Sequence, residues 1–467
     1  MKNKNELLPK GSVLVVDKNE DRTFAGYFVD KLPWSFWVGG RHFSFAEGII
    51  DNVYKGKVTR AFASGGGFLN IGIGEDVFLS HEKLLAEGDS VIVQVTTDSH
   101  DDKAFRVTQK ISLASPNVIL IIDKRNKVEY SKKLSENARN ELKKNENEYI
   151  STLAEIIGCG KLIIRSSAEK STVSEICDDI RLLANQWLNI RKKFWTKREP
   201  GLLDKRADRI SSFLSHYLPK VDCVITNDAE VEKIAVDYKI DNITFVEDEL
   251  FDYSYALAVA DEIIEKKRVI NDKNVNIRFD YTDACTFIDV NSGNFSTKGA
   301  SRQANQTNLL VVDEIARQIS LRDITGAIVV DFLTVWREAF RQNLIDCLRE
   351  SFKRDAHKVK VYSTVTSLGH VEIERERTYE KVQSDWVEYS EDGVKRYTTD
   401  YLLLKLLSAV ENENARNTKA TVILDKNFVL SEDVLNYVKK YAVAEIEFDS
   451  SDSLPQNKLF EIRYGDM

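Results

Sequence analysis

Apolar and polar residues alternate in short runs from residue 12 to 50 (SVLVVD, RTFAGYFV, SFWVGG), the period-two pattern of half-buried strands separated by turns. The pattern continues through VYKGKVTRAF, GGGFLNIGIGEDVFLSH, GDSVIVQVTTD and KAFRVTQKISL up to residue 114. Five short strands punctuated by glycine predict a small closed barrel. Helical patterns with alternating charge follow from about 128 to 157, then the strand KLIIRSS and helices to about 200. Residues 210–265 read as strand, helix, strand, helix (VDCVITND and NITFVED being the strands). Further on come a helix over 337–354, the strand VKVYSTV and the segment GHVEIERER. From about 395 the pattern is helix, TKATVILD, helix, KLFEIRY. The chain is expected to be a multidomain α/β protein.

Between these regions lies the segment with the clearest chemistry. Ala284 to Val290 and Ala327 to Leu333 are short apolar runs, each carrying one aspartate, in FIDVN (287–291) and VVDFL (329–333). Thr307 to Arg322 repeats apolar residues at helical spacing, and Gly326 is a stop signal after it. A strand-helix-strand crossover makes its two strands parallel and is itself right-handed in nearly all cases, so Asp289 and Asp331 are expected at one carboxyl edge of a sheet. Two carboxylates held together need a cation or a shared proton. Magnesium suits them, because it takes one or two protein carboxylates and keeps waters and phosphates for the rest. Asn291 is placed to hydrogen-bond a carboxylate, a water or a phosphate. The pattern by itself also fits two ordinary strand-end residues that start a turn or cap a helix.

Composition bounds these readings. With 467 residues, 43% hydrophobic and 30% charged, the chain can bury several cores, roughly three to five domains. No apolar run reaches the ~18 residues of a membrane span, and MKNKNELLPKG lacks a signal-peptide core, so a soluble cytoplasmic protein is expected. Cys159, Cys177, Cys223, Cys285 and Cys347 are scattered without a CxxC, which predicts reduced thiols, no structural zinc and oxygen ligands for any metal. The net charge of -8 argues mildly against a general nucleic-acid coat, yet Arg191 to Arg209 is strongly basic, with Phe194 and Trp195 interleaved. Such a stretch can track phosphates and stack bases. Equally, it fits a solvated helix face with both aromatics in the core. For a barrel of the oligonucleotide-binding type, the exposed aromatic candidates are Tyr54, Phe62, Phe68, Phe78 and Phe105.

Several of these segments together resemble the ribonuclease E/G family. VYKGK at 53–57, GFLNIG at 67–72, IIRSS at 163–167, FIDVNSG at 287–293, TNL at 307–309, DEIARQISLRD at 313–323, GAIVVDF at 326–332 and GHVEIERER occur in the family's order over nearly the whole chain. The resemblance implies an RNase H-like structural domain (1–50 and 211–265) interrupted by an S1-like RNA-binding barrel (51–114) and a 5′-sensor subdomain (115–210). A DNase I-like catalytic domain (266–386) and a small C-terminal domain (387–467) follow. It implies Asp289 and Asp331 as Mg2+ ligands (Mn2+ as a substitute) with Asn291 as their partner. Phe68, Phe78 and Lys103 fall where the family contacts bases, and Arg165 and Ser166 where it holds a 5′-monophosphate. For Phe68 and Phe78 the barrel core is the competing reading, and for Arg165 a surface ion pair. His370 is expected to be structural or RNA-facing.

The implied activity is a magnesium-dependent endoribonuclease cutting single-stranded A/U-rich RNA, preferring 5′-monophosphate ends and leaving 5′-phosphates, in rRNA processing and mRNA decay. The alternatives are a catalytically weakened, RNA-binding relative and, less favoured, a DNA nuclease. Four positions depart from the family pattern. TYEKVQSDWVEYSEDG lacks the CPxC zinc-link, so a homodimer or higher oligomer would not be bridged by zinc. SRQAN, with Arg302, replaces an acidic stretch, Thr334 replaces an aspartate, and Ser367 replaces an arginine.

Overall fold

The computed structural model describes residues 8–43, 49, 51–63, 65–80, 85–97, 104–132, 134–205, 209–270, 274–282, 284–293, 300–334, 337–366, 368–376, 386–389, 395–411, 419–426, 428–451, 454 and 459–464. It is a mixed α/β protein of two compact units. One comprises Met1–Ala46, Lys220–Glu232 and Asn242–Met467; the other comprises Glu47–Pro219 and Lys233–Asp241.

In the first unit, a five-stranded sheet has the order Ile243–Phe245, Cys223–Thr226, Ser12–Lys18, Arg22–Val29, Leu32–Gly40. The first three are mutually parallel and the last two form an antiparallel hairpin. Its turn holds Asp30 and Lys31 at φ 48 and 72, the two consecutive left-handed residues that a tight hairpin needs. Valines and phenylalanines of this sheet (Val13, Val15, Phe24, Phe28) share one apolar cluster with helices Tyr253–Ile264 and Thr399–Glu411 and with strand Lys419–Asp425.

The unit's second large sheet has the order Lys267–Val269, Asn276–Tyr281, Thr286–Asn291, Gly326–Asp331, His370–Arg375, Val359–Val365. Among the described residues its one parallel pairing joins Thr286–Asn291 to Gly326–Asp331, with helix Ala300–Leu321 as the crossover. Alternation along the strands buries Phe279, Ile288, Val290, Ile328, Val330, Val371 and Ile373 on one side. Helix Ala300–Leu321 packs against strand Asn276–Tyr281 and helix Glu338–Ser351 against strand Val359–Val365. The opposite side carries Arg278, Asp289, Asn291, Asp331, His370 and Glu372 and is open to solvent, as a largely antiparallel sheet allows.

In the second unit, five strands close into a barrel in the order Val53–Ala61, Gly67–Asn70, Asp76–Leu79, Arg106–Thr108, Ser90–Thr97 and back to Val53–Ala61, as its sequence pattern predicts. Leu69, Ile71, Val77, Leu79, Val93, Val95 and Val107 fill it. Strand Gly201–Asp204 adds to the outside of Val53–Ala61. A four-stranded sheet (Lys127–Tyr130, Lys161–Ile164, Val118–Ile121, Ser112–Ala114) lies under helix Val173–Thr196. That helix starts with a capping box: Glu175 accepts from the Thr172 amide at 2.6 Å, and Thr172 accepts from the Glu175 amide. All five cysteines are free thiols, and no helix among the described residues is long and apolar enough to cross a membrane.

Candidate active site and nucleic-acid interface

Backbone register places the two aspartates. Asp289 and Asp331 are direct partners across the parallel pair, so their side chains leave the same face one strand spacing apart. That face, rather than the carboxyl edge alone, is the site: the crossover helix lies on the other side. Asp289 has Val290 and Asn291 after it within its strand, so it is an interior strand residue and not a turn or cap residue. Asn291 leaves the same face two residues on and donates from Nδ2 to Asp289 Oδ2 at 2.6 Å. On the far side, His370 pairs with Asp331 across the antiparallel ladder, and its Nε2 lies 3.5 Å from Asp331 Oδ1. The imidazole stands edge-on to Phe287, which limits its rotation.

The chain leaving Asp331 is held by a residue for which the sequence offered no role. Asn308, buried in helix Ala300–Leu321, donates to the Leu333 carbonyl at 2.8 Å and accepts from the Leu333 amide at 3.0 Å. This reciprocal pair fixes the backbone two residues past the carboxylate. The visible signal was Asn308 inside TNL, a buried polar residue on an otherwise apolar helix face. The donor set, two solvent-facing carboxylates and an amide, fits a hard, oxygen-preferring cation that retains its waters. Among the described residues no three His, Cys, Asp or Glu are grouped as a metal cage. Arg302 and Thr334 are both exposed on the described segments flanking the site. Ser367 and the stretch 378–385, where the zinc-link would fall, lie outside the described residues.

Other residues of the same motifs are scaffold. Arg317 is buried, bonded to Glu314 (Nε to Oε2 2.8 Å), to the Pro33 carbonyl (3.0 Å) and to Glu262. Glu314 is held below the usual carboxylate range: burial alone would raise it, but the hydrogen bond and charge of Arg317, with Arg268 and Gln318, outweigh that. Arg322 donates to the carbonyls of Glu262, Ile263 and Glu265. Arg375, in the ERER segment, is fully buried between Asp355 (2.8 Å) and Asp323 (2.6 Å); burial pulls its ionisation down, and the two carboxylates more than reverse this.

On the barrel, alternation turns Leu69, Val77 and Leu79 inward and Phe68 and Phe78 outward. These two are register partners with ring centroids 5.8 Å apart, and Phe62 joins them at 5.7 and 6.3 Å. An aromatic trio therefore sits half-exposed on the barrel's outer wall. Two of the expected exposed aromatics are placed otherwise. Tyr54 is only 5% exposed and belongs to the barrel core, because strand Val53–Ala61 is covered on both sides at its start; Phe105 packs against the same core. Lys103 lies outside the described residues. In the basic stretch the two aromatics part: Phe194 is in the core at 9% exposure, whereas Trp195 is 77% exposed.

Arg165 follows strand Lys161–Ile164. Its amide donates to the Asn117 carbonyl and its Nη1 to the Ser115 carbonyl, both at 2.8 Å, and it hydrogen-bonds the Tyr238 hydroxyl. Burial raises the Tyr238 phenol, and Arg165 partly offsets that. Held by neutral groups, the guanidinium keeps its charge available to an anion. Ser166, half-buried, opens the short turn Ser166–Lys170 directly beside it.

The comparisons with known proteins bear on these features together. The ribonuclease E/G family profile matches residues 112–378, more than half of the chain. The chain is 27% identical to ribonuclease E of Haemophilus influenzae over 359 residues, 70% of this chain and 38% of that protein. It is 30% identical to a putative ribonuclease E of Buchnera aphidicola over 360 residues, 70% of this chain and 86% of the other. With ribonuclease G of Escherichia coli the identity is 26% over 379 residues, 72% and 74% of the two chains. The matched span holds the aspartate pair, the Asn308 clamp and the buried arginine networks, and the chain belongs to the ribonuclease E/G family.

Proposed function

We propose that the protein is a magnesium-dependent endoribonuclease that cuts single-stranded, A/U-rich RNA, leaves 5′-phosphate ends and acts in RNA processing and decay. The observation that carries this reading is the in-register pair Asp289 and Asp331 on the solvent-facing side of a rigid sheet. When bound between these carboxylates, Mg2+ (or Mn2+) supplies charge neutralisation at a scissile phosphate and activation of a water. Asn291 orients Asp289, His370 flanks Asp331, and Asn308 fixes the backbone behind it. The outward Phe62, Phe68 and Phe78 give bases a stacking surface, and the barrel is read as S1-like. Arg165 and Ser166 are read as the pocket for a 5′-monophosphate. The five-stranded sheet is read as a structural RNase H-like part and the six-stranded sheet as a DNase I-like catalytic part. Any dimer or higher oligomer is proposed to form without a zinc bridge.

The test is cleavage of a 5′-monophosphorylated A/U-rich RNA with Mg2+ by wild type, Asp289→Asn and Asp331→Asn. Cleavage that survives either substitution removes the site. RNA that binds to wild type yet is never cut favours the second reading, an RNA-binding relative with weakened catalysis, for which the exposed Arg302 and Thr334, on the segments that follow the two aspartates in the chain, give grounds. Arg165→Ala is expected to erase a preference for 5′-monophosphate over 5′-hydroxyl ends; a preference that persists removes the sensor assignment.

A further inference from the structure

Trp195 is the most exposed tryptophan-sized apolar surface in the second unit, and nothing proposed so far uses it. It stands in the last turn of helix Val173–Thr196. Leu188, Arg191, Lys192 and Trp195 occupy i, i+3, i+4 and i+7 and form one solvent face, with Leu188 itself 37% exposed. The core face of this helix is a different one, made by Leu183, Ala184, Ile190 and Phe194. Lys193, Lys197 and Arg198 surround the helix end, against the single acidic Glu199.

We propose that this helix end is a second stacking platform for single-stranded RNA, extending a path that begins at the Phe62, Phe68 and Phe78 trio. The proposal rests on the reading that the barrel holds RNA.

Three features support it. The platform is stiff, because Phe194 is anchored in the core and braces the Trp195 ring edge-on at 5.1 Å. It is also tied to the barrel. Lys55, from strand Val53–Ala61, places its ammonium 5.0 Å from the Phe194 ring and donates to the carbonyls of Phe194 (3.3 Å) and Lys197 (2.6 Å), closing the helix C-terminus. Finally, the same strand leads from there to the aromatic trio. Past Lys55 come the exposed Lys57 and, beyond a bulge, Arg60, which is the register partner of Phe68 and lies 5.8 Å from the Phe62 ring. Lys55 and Arg60 are five residues apart, roughly 17 Å of strand. That length suits a few nucleotides, within the ~4–16 that one barrel of this kind covers. Gly67 makes the bulge possible, since a Cβ there would meet the Arg60 carbonyl at 2.1 Å. Asp76, an acidic side chain beside this track, is engaged by the Thr59 hydroxyl at 2.7 Å.

Basic residues around a tryptophan also suit an anionic membrane surface. RNA is favoured because the basic strand runs on into outward aromatics, which a lipid surface does not require.

The experiment is fluorescence anisotropy of the full chain, without divalent cations, on labelled oligo-U of about 3 and about 16 nucleotides, the shorter below one barrel's footprint and the longer at its upper end. Wild type is compared with Trp195→Ala, Trp195→Phe, Phe68→Ala and the double variant Lys192→Ala/Lys193→Ala. Trp195→Ala is expected to weaken the longer RNA roughly 5- to 150-fold, the loss of one base stack, and to leave the shorter one unchanged. Trp195→Phe should retain most of the affinity, which keeps the test valid if the alanine variant folds poorly. The double lysine variant should lower the salt slope by about 2. If Phe68→Ala weakens binding and Trp195→Ala leaves the longer RNA untouched, the platform is wrong and the barrel reading stands. If neither weakens binding, both fail. Loss of sedimentation with phosphatidylserine vesicles in Trp195→Ala, at unchanged RNA affinity, overturns the proposal in favour of a lipid surface.

Discussion

The two sides of the six-stranded sheet put charged side chains to opposite ends. Facing inward and along the sheet's edge, Arg375, Arg317 and Arg322 are saturated with carboxylates and carbonyls, and each bond removes a freedom. Facing outward, Asp289 has one described amide partner and Asp331 one imidazole at 3.5 Å, leaving oxygen lone pairs open to solvent. Charge that is fully paired holds a fold together; charge that is held in place but left partly unpaired is available to a ligand. FIDVN and VVDF supply the second kind, DEIARQISLRD and ERER the first.

Removing charge from either side tests this division. The largest effect is expected on the open face: Asp289→Asn or Asp331→Asn should lower the cleavage rate by about a hundredfold or more, since a metal contributes several kcal/mol at the transition state. Thermal melting should be unchanged or slightly raised, because a like-charge pair has been relieved. A large fall in melting temperature would show these aspartates to be scaffold. Arg375→Met should do the reverse, costing about 3–5 kcal/mol in a denaturant titration by taking the guanidinium away from the buried Asp355 and the half-buried Asp323. Asn308→Ala lies between. It loses two part-buried bonds from its side chain to the Leu333 backbone, about 1–3 kcal/mol, and should reduce cleavage more than RNA binding because the Asp331 strand end is released. The smallest effect is in acid. Glu314's lowered ionisation contributes stability that is fully present above its unfolded value near pH ~4.3 and is lost as pH falls through the lower folded value. Glu314→Gln should flatten that acid limb of the stability profile; an unchanged limb assigns acid unfolding to other carboxylates.

Much of this was readable from spacing. The period-two runs gave the barrel, and the strand-helix-strand unit gave the parallel aspartate pair, because both follow from local alternation and the handedness of a crossover. What covers a face is a tertiary matter and did not show. The crossover helix and its neighbour leave one side of the sheet bare, so the pair sits on a face and not only at an edge. Val53 belongs to the core beneath the four-stranded sheet while Tyr54 belongs to the barrel core, so consecutive residues are both buried and alternation misassigns the tyrosine. The split between Phe194 and Trp195 is likewise set by which turn of the helix meets the core. Arg317, Arg322 and Arg375 look like surface charge in a sequence, since the partners that reveal them as interior, Glu262 for the first two and Asp355 for the third, are distant in the chain.

The Asn308 clamp has a consequence for how such a protein can change over generations. Because Leu333 is held through its own amide and carbonyl, this anchor beyond Asp331 uses neither the side chain of residue 333 nor that of 334. A residue there can be exchanged, as a threonine for an acid, without shifting the strand end that carries the aspartate. Drift in that loop can retune what approaches the site while its foundation stays inherited.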